Sequence, residues 1–392
     1  MSTAYLNTLG IVCALGADRA AVAQALFAGD TDRLVPTPGW IPGFTPPVGR
    51  VHAELPALPA TLWAHDNRCN RLLLAAAHQI EPDLQAAATH YGRLRIGVVL
   101  GTSTGGIEEA TVGHAGYRQT GAWPRGYHYR DQELSDPAQC LADWLGSEGP
   151  CYVISTACTA GARALISAQR LLDAGVCDAV VCGGVDALTR LPLNGFHALG
   201  ALDGEHCRPF AADRHGINLG EAAALFLMTH ERGPVHLAGT GASSDAYHMS
   251  SPEPGGTGAR DAMLTALARA QLGPGAIDYV NLHGTATPLN DAMEARAMAA
   301  VFPHGVPCSS TKALTGHTLA AAGALEAAFC WLALDAGRLP PHCTQGLLDA
   351  SLPALDFVAP GTRLKPGQPH WLMSNSFAFG GNNASLIFGD TP

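Results

Sequence analysis

Lysine is nearly absent from this chain: 21 arginines are accompanied by only two lysines, Lys312 and Lys365. Charged residues of all kinds make up 14% of the sequence, and the formal net charge is −10. No basic stripe is present, which argues against nucleic acid as a partner. No C-x-x-C pair occurs among the 11 cysteines, and neither Cys151/Cys158 nor Cys177/Cys182 has zinc-site spacing. The N-terminus lacks a basic segment followed by an apolar run, so no targeting signal is read there. The longest apolar run, Thr318 to Leu334, falls short of the ~20 residues of a membrane span and carries Glu326 at its middle. These absences predict a cytoplasmic protein with reduced, mostly buried thiols and no membrane span.

What is abundant is apolar: 47% of the 392 residues are hydrophobic, the composition of a strongly buried enzyme. Short β-branched runs (96–100, 152–155, 179–182, 224–228, 279–282, 306–309, 371–374 and 384–388) alternate with helical patterns at about 159–174, 258–271, 289–301 and 317–335. Alternation of this kind predicts an α/β layered fold with buried sheets. Polar stretches at 35–60, 115–138, 250–258 and 337–369 read as surface insertions. The halves 1–235 and 236–392 each contain strand–loop–helix units within one compact body, which permits a duplication.

Four segments carry chemistry. Ser155-Thr156-Ala157-Cys158-Thr159-Ala160-Gly161 follows a strand and opens a helix, so Cys158 lies near unpaired N–H groups at the positive end of the helix dipole. That setting favours thiolate and can bind an oxyanion, although a buried structural thiol fits the segment equally well. His283 follows a strand, beside Gly284, Thr285 and Thr287. Lys312 and His317 share a second loop, ahead of the alanine-rich helix that holds Glu326. A lysine and a glutamate in apolar surroundings must be paired or functional, because unpaired buried charge is costly. Two neutral imidazoles could stabilise an enolate oxygen. A metal site is not expected, since the histidines are 34 residues apart on separate loops without an H-E-x-x-H-type cluster. The fourth segment, Asn375 to Asn383, places two aromatics and two glycines between candidate strands.

Together the segments resemble the elongating β-ketoacyl-acyl carrier protein synthases of the thiolase superfamily, from about Gly101 to Gly389. In chain order they read T-A-C-T at 156–159, R-P-F at 208–210, D-R-x-G-x-x-x-G-E at 213–221, H-G-T-x-T at 283–287, T-K-x-x-T-G-H at 311–317 with Glu326 nine residues on, and N-S-F-x-F-G-G at 375–381. The resemblance implies a duplicated α/β/α/β/α five-layered sandwich and decarboxylative condensation of an acyl thioester with malonyl-acyl carrier protein. Cys158 would take the acyl chain, and its N–H and that of Phe379 would form the oxyanion hole. His283 and His317 would promote decarboxylation; Lys312 would support His317, and Glu326 would order the network. Thr285, Thr287 and Phe377 would bind the pantetheine arm, and Phe379 would gate the acyl and malonyl sites. Arg68, Arg71, Arg130 and Arg208 are candidates for a patch facing an acidic carrier protein.

No bound cofactor is implied; substrates would ride on the carrier's 4′-phosphopantetheine. The partners would be acyl carrier protein and either a second copy or a ketosynthase-like chain-length factor. Two departures, Gly-Gly-Asn-Asn at 380–383 and His-Gly-Thr-Ala-Thr-Pro-Leu-Asn-Asp at 283–291, look more like synthases of aryl-polyene clusters than those of primary lipid synthesis. A degradative thiolase would need a second cysteine in 375–385, which is absent. A silent chain-length factor should lack Cys158.

Overall fold

In the computed structural model, residues 3–343 and 346–390 are described. Residues 344 and 345, inside the polar stretch 337–369, lie outside them, as do residues 1–2 and 391–392. The first half contributes strands β1 (Ala4–Cys13), β2 (Ile96–Gly101), β3 (Cys151–Ile154), β4 (Ala179–Asp186) and β5 (Ala222–Thr229). The second contributes β6 (Val235–Ser244), β7 (Tyr279–Asn281), β8 (Pro307–Ser309), β9 (Trp371–Ala378) and β10 (Asn382–Asp390).

In space the strands run β3-β2-β4-β5-β1 and β8-β7-β9-β10-β6. Both halves therefore read third-second-fourth-fifth-first. The strand directions repeat as well: the second strand lies parallel to the third and fourth, and the fifth lies antiparallel to the fourth and first. A short strand, Asp356–Phe357, extends the edge beyond β8. Ala4–Leu6 pairs with Val235–Leu237, so β1 and β6 join the halves.

Six helices complete the layers: α1 (Arg68–Ala77), α2 (Asp136–Leu145), α3 (Ala160–Asp173), α4 (Thr257–Ala270), α5 (Pro288–Val301) and α6 (Ala322–Ala336). Successive residues of a strand face opposite sides, and both sides of these sheets are apolar. Val98, Val181 and Leu225 face α1 and α2, whereas their neighbours Val99, Cys182 and Phe226 face the middle of the molecule. In the second half Met373 and Ile387 face α4 and α5, whereas Leu372, Leu386 and Phe388 face the middle. The two inner faces enclose α3 and α6 in one core, which gives five layers. A helix apolar on every side belongs in such a place. The stretch Leu319–Ala336 is long and apolar enough to cross a membrane, but 83% of it is buried inside the fold.

The eight strands read from sequence are all present. Short strands at Leu34–Pro36, Pro47–Gly49, Leu219–Gly220 and Asp356–Phe357 were not anticipated, nor were two long ones, β1 and β6, which are the first strand of each half and meet at the seam. Glycines interrupt their apolar pattern because a helix lies against them. A Cβ on Gly10 would lie 2.1 Å from the Ala76 carbonyl oxygen of α1, and one on Gly241 would lie 1.9 Å from that of Ala262 in α4.

Candidate active site

Cys158 stands at the entrance to the central helix α3. The turn from β3 is tight: Ala157 adopts φ +51°, a left-handed conformation costly for a residue with a side chain. The Thr159 hydroxyl donates back to the Thr156 carbonyl at 2.8 Å and braces the turn. The thiol is buried, and its Sγ lies 2.9 Å from His317 Nε2. Burial pushes the thiol up to about 12, with Lys312 opposing the rise. The helix terminus favours thiolate, but burial opposes it and prevails. Desolvation favours the thiol, and the adjacent imidazole is the group placed to receive its proton.

His283 and His317 face each other, with ring centroids 5.4 Å apart and planes at 87°. Burial, with Lys312 second, holds both well below the ordinary imidazole range, so both are neutral. Lys312 makes an ion pair with Glu326 and donates to the His283 carbonyl oxygen; its Nζ is 3.5 Å from His283 Nδ1. Lysine and glutamate are thus partnered. The direct contact of Lys312 is with His283, not with His317 as the motif implies. It bears on His317 through its charge. Burial also pushes the Glu326 carboxyl up, to about 7, against the pull of Lys312.

The sulfur and two imidazoles offer donor atoms all within 4.8 Å of one another. Separation along the chain, one ground for expecting no metal ligation, is no guide to their separation in space.

Two acids escaped the sequence reading. Glu294, fully buried on α5, accepts the backbone N–H groups of His283 and Gly284, each at 2.7 Å. Asp291, one helical turn earlier, accepts from Phe210 N at 2.8 Å and Ala286 N at 3.2 Å. The signal was available: two carboxylates three residues apart in one helix are placed on one face.

A cleft opens from solvent onto Cys158, His283 and His317. Thr285, Thr287, Phe377 and Phe379 line it, as the motifs imply, together with Phe196 and Leu289. The two threonine hydroxyls lie 3.0 Å apart, with Ala286 between them at φ +65°. Phe377 is buried; Phe379 is partly exposed and packs against Phe196, with ring centroids 5.5 Å apart. Gly380 N donates to the Met249 carbonyl at 2.7 Å and ties the Phe379 loop to 245–249.

The four arginines are all engaged. Arg68 pairs with buried Glu221, Arg71 with Asp66, Arg130 with His65 and Asp136, and Arg208 with Asp213 and Glu205. Each guanidinium has local anionic partners.

Comparison with known proteins agrees with this geometry. Residues 42–232 match the β-ketoacyl synthase N-terminal domain and residues 235–345 its C-terminal domain. The chain belongs to the β-ketoacyl synthase family. The match begins well before Gly101, where the motif resemblance starts. The 3-oxoacyl-[acyl-carrier-protein] synthase 2 of Vibrio cholerae is 35% identical over 337 residues, 80% of each chain. Its Staphylococcus aureus counterpart is 31% identical over 341 residues, 82% of this chain and 84% of that one.

Among solved structures, the ketosynthase ApeO in complex with its chain length factor ApeC from Xenorhabdus doucetiae matches with a TM-score of 0.94. Identity there is 46%, over 100% of this chain and 98% of that one. The ishigamide ketosynthase/chain length factor matches at 0.89 with 26% identity over the full length of both. The protein is a condensing acyltransferase of the thiolase fold.

Proposed function

We propose that the protein lengthens an acyl chain held on Cys158 by two carbons taken from malonyl-acyl carrier protein. The observation that carries this reading is the convergence of one thiol and two neutral imidazoles at the floor of a single cleft. In the first step the Cys158 sulfur attacks the carbonyl of an acyl thioester. His317 Nε2 takes the thiol proton and returns it to the departing carrier thiolate, so one thioester replaces another. The N–H groups of Cys158 and Phe379 serve the oxyanion.

In the second step malonyl-carrier protein enters by the same cleft, its pantetheine arm against Thr285, Thr287 and Phe377. The C–C bond to its carboxylate breaks, carbon dioxide leaves, and His283 and His317 support the enolate oxygen. The enolate carbon attacks the Cys158 thioester, a new C–C bond forms as the C–S bond breaks, and the departing Cys158 thiolate takes a proton from solvent. Lys312 and Glu326 hold His283 neutral and in place. Phe379 separates the two substrates. Arg68, Arg71, Arg130 and Arg208 are proposed as contacts for the carrier protein, made in competition with their present carboxylate partners.

Residues 1–235 and 236–392 are read as the two halves of a duplicated unit; the repeated strand order supports this. The pathway is proposed to be of the aryl-polyene kind, on the residues at 283–291 and 380–383, with a ketosynthase-like chain-length factor as partner; the 46% identity to ApeO, a ketosynthase in complex with its chain length factor, supports that partner. Among the described residues all cysteines are free, in keeping with a cytoplasmic enzyme.

Intact-mass spectrometry after incubation with acyl-carrier protein tests the reading. Wild type should gain one acyl group on the Cys158 peptide, and Cys158→Ala should gain less than about one-thousandth as much. Undiminished acylation of the variant would refute it.

A further inference from the structure

Asp186 ends β4 and is completely buried. Its carboxylate accepts six hydrogen bonds from two places. On one side are Thr102 Oγ1, Ser103 N, Ser103 Oγ, Thr104 N and Thr104 Oγ1, at 2.8 to 2.9 Å. On the other is Ala320 N, at 2.7 Å. The first group forms the loop after β2. That loop supports the nucleophile from below: Thr102 N donates to Ile154 O at the end of β3, the strand leading to Cys158. The second is the turn three residues beyond His317, where Leu319 is held at φ +54°. Helix α3 and this turn are already in close contact, since a Cβ on Gly161 would lie 2.9 Å from Ala320 O.

We infer that Asp186 is a positioning residue that locks the loop of His317 to the scaffold of Cys158 and so fixes the 2.9 Å contact between them. The inference rests on the roles proposed above for Cys158 and His317. Asp186 touches no reacting atom. It acts because one rigid carboxylate ties the loop of His317 to the 102–104 loop, which is itself hydrogen-bonded to the strand leading to Cys158. An acid side chain suits these partners, since every one is an N–H or a hydroxyl and a carboxyl group accepts on both oxygens; burial pushes Asp186 above the ordinary carboxylate range, and the same hydrogen bonds oppose the rise. The Oδ1 atom receives four of the bonds, and Oδ2 receives Ser103 Oγ and Ala320 N.

Asp186→Asn has the same shape and separates the two functions. With its oxygen at the Oδ1 position the amide keeps the Thr102–Thr104 side. Its NH2 group then faces the Ala320 N–H, donor against donor, and the Ser103 hydroxyl can rotate to accept where the backbone cannot. The purified full-length protein, with its partner subunit if one co-purifies, is assayed for condensation and for alkylation of Cys158 by iodoacetamide. The expected result is a fall in kcat of about tenfold or more with KM for malonyl-carrier protein changed less than about threefold. An alkylation rate altered at least about threefold should accompany it, since small displacements of reacting groups act on the chemical step. A change confined to folding would lower the active fraction and leave the alkylation rate of folded protein unmoved.

Both kcat and alkylation within about twofold of wild type would overturn the inference. If Asp186→Asn does not fold, Thr102→Val removes a single hydroxyl donor. It should lower kcat about threefold, and unchanged kcat there overturns the inference equally. Failure of wild type itself to condense would instead count against the functional reading.

Discussion

The two halves share strand order and direction, yet they supply different parts of the site. In the first half the third strand, β3, leads through three residues to Cys158 and then into the central helix α3. In the second half the third strand, β8, leads through Lys312 and His317 into the central helix α6. The loops after the second strands differ in the same way: Thr102–Thr104 in the first half contains only hydroxyls, whereas His283–Thr287 in the second contains an imidazole. Equivalent positions in a repeated scaffold thus carry the nucleophile on one side and the charge-handling groups on the other. The sandwich brings them together because α3 and α6 share the middle layer. In the proposed mechanism one half holds the chain and the other makes the carbanion.

The largest test of that division is His283→Ala. It should cut carbon dioxide release from malonyl-carrier protein by about 10²–10³-fold while Cys158 still acylates, because an oxyanion donor acts on the step where charge develops. Equal loss of acylation would mean that the halves do not divide the labour.

A smaller effect probes the scaffold. Gly10→Ala and Gly241→Ala each force a methyl group against a helix carbonyl, at 2.1 Å and 1.9 Å. Each should destabilise by about 1–3 kcal/mol in urea unfolding. Gly275→Ala, with open space around it, should stay within about 0.5 kcal/mol. A large difference between the two seam glycines would break the symmetry claimed for the halves.

The smallest effect concerns pH. His283 and His317 sit far below the ordinary value of 6.5, so unfolding lets them bind protons. Their contribution to stability is present above pH 6.5 and is lost as pH falls below it. The double variant His283→Gln/His317→Gln should therefore lose less stability than wild type between pH 7.5 and pH 5, by about 1 kcal/mol or more in urea midpoint comparisons. Parallel losses in the two proteins would show the imidazoles to be ordinary in the folded state.

Much of this was legible in the sequence, and the reasons it was or was not are physical. Strands β2, β4 and β5 are buried on both faces and so are written as largely apolar runs, whereas β9 and β10 were legible only through the short apolar stretches 371–373 and 386–388. The long apolar pattern around Glu326 marked α6, and a lone glutamate there required a cation, which Lys312 supplies. Strands β1 and β6 were hidden because close helix packing demands glycine at Gly10, Gly239 and Gly241, and glycine reads as a break. Asp186 was hidden for another reason. Its value lies in backbone N–H groups it receives from distant segments, and no side-chain motif records such a partnership. The state of the Cys158 thiol was also out of reach, since it follows from burial and not from the helix terminus alone.

The most direct measurement is carbon dioxide release from malonyl-carrier protein by Cys158→Ala and His283→Ala, side by side. A site divided between halves predicts that Cys158→Ala still releases carbon dioxide without condensing, while His283→Ala becomes acylated and releases almost none. Release that depends on Cys158 and survives the loss of His283 would contradict it.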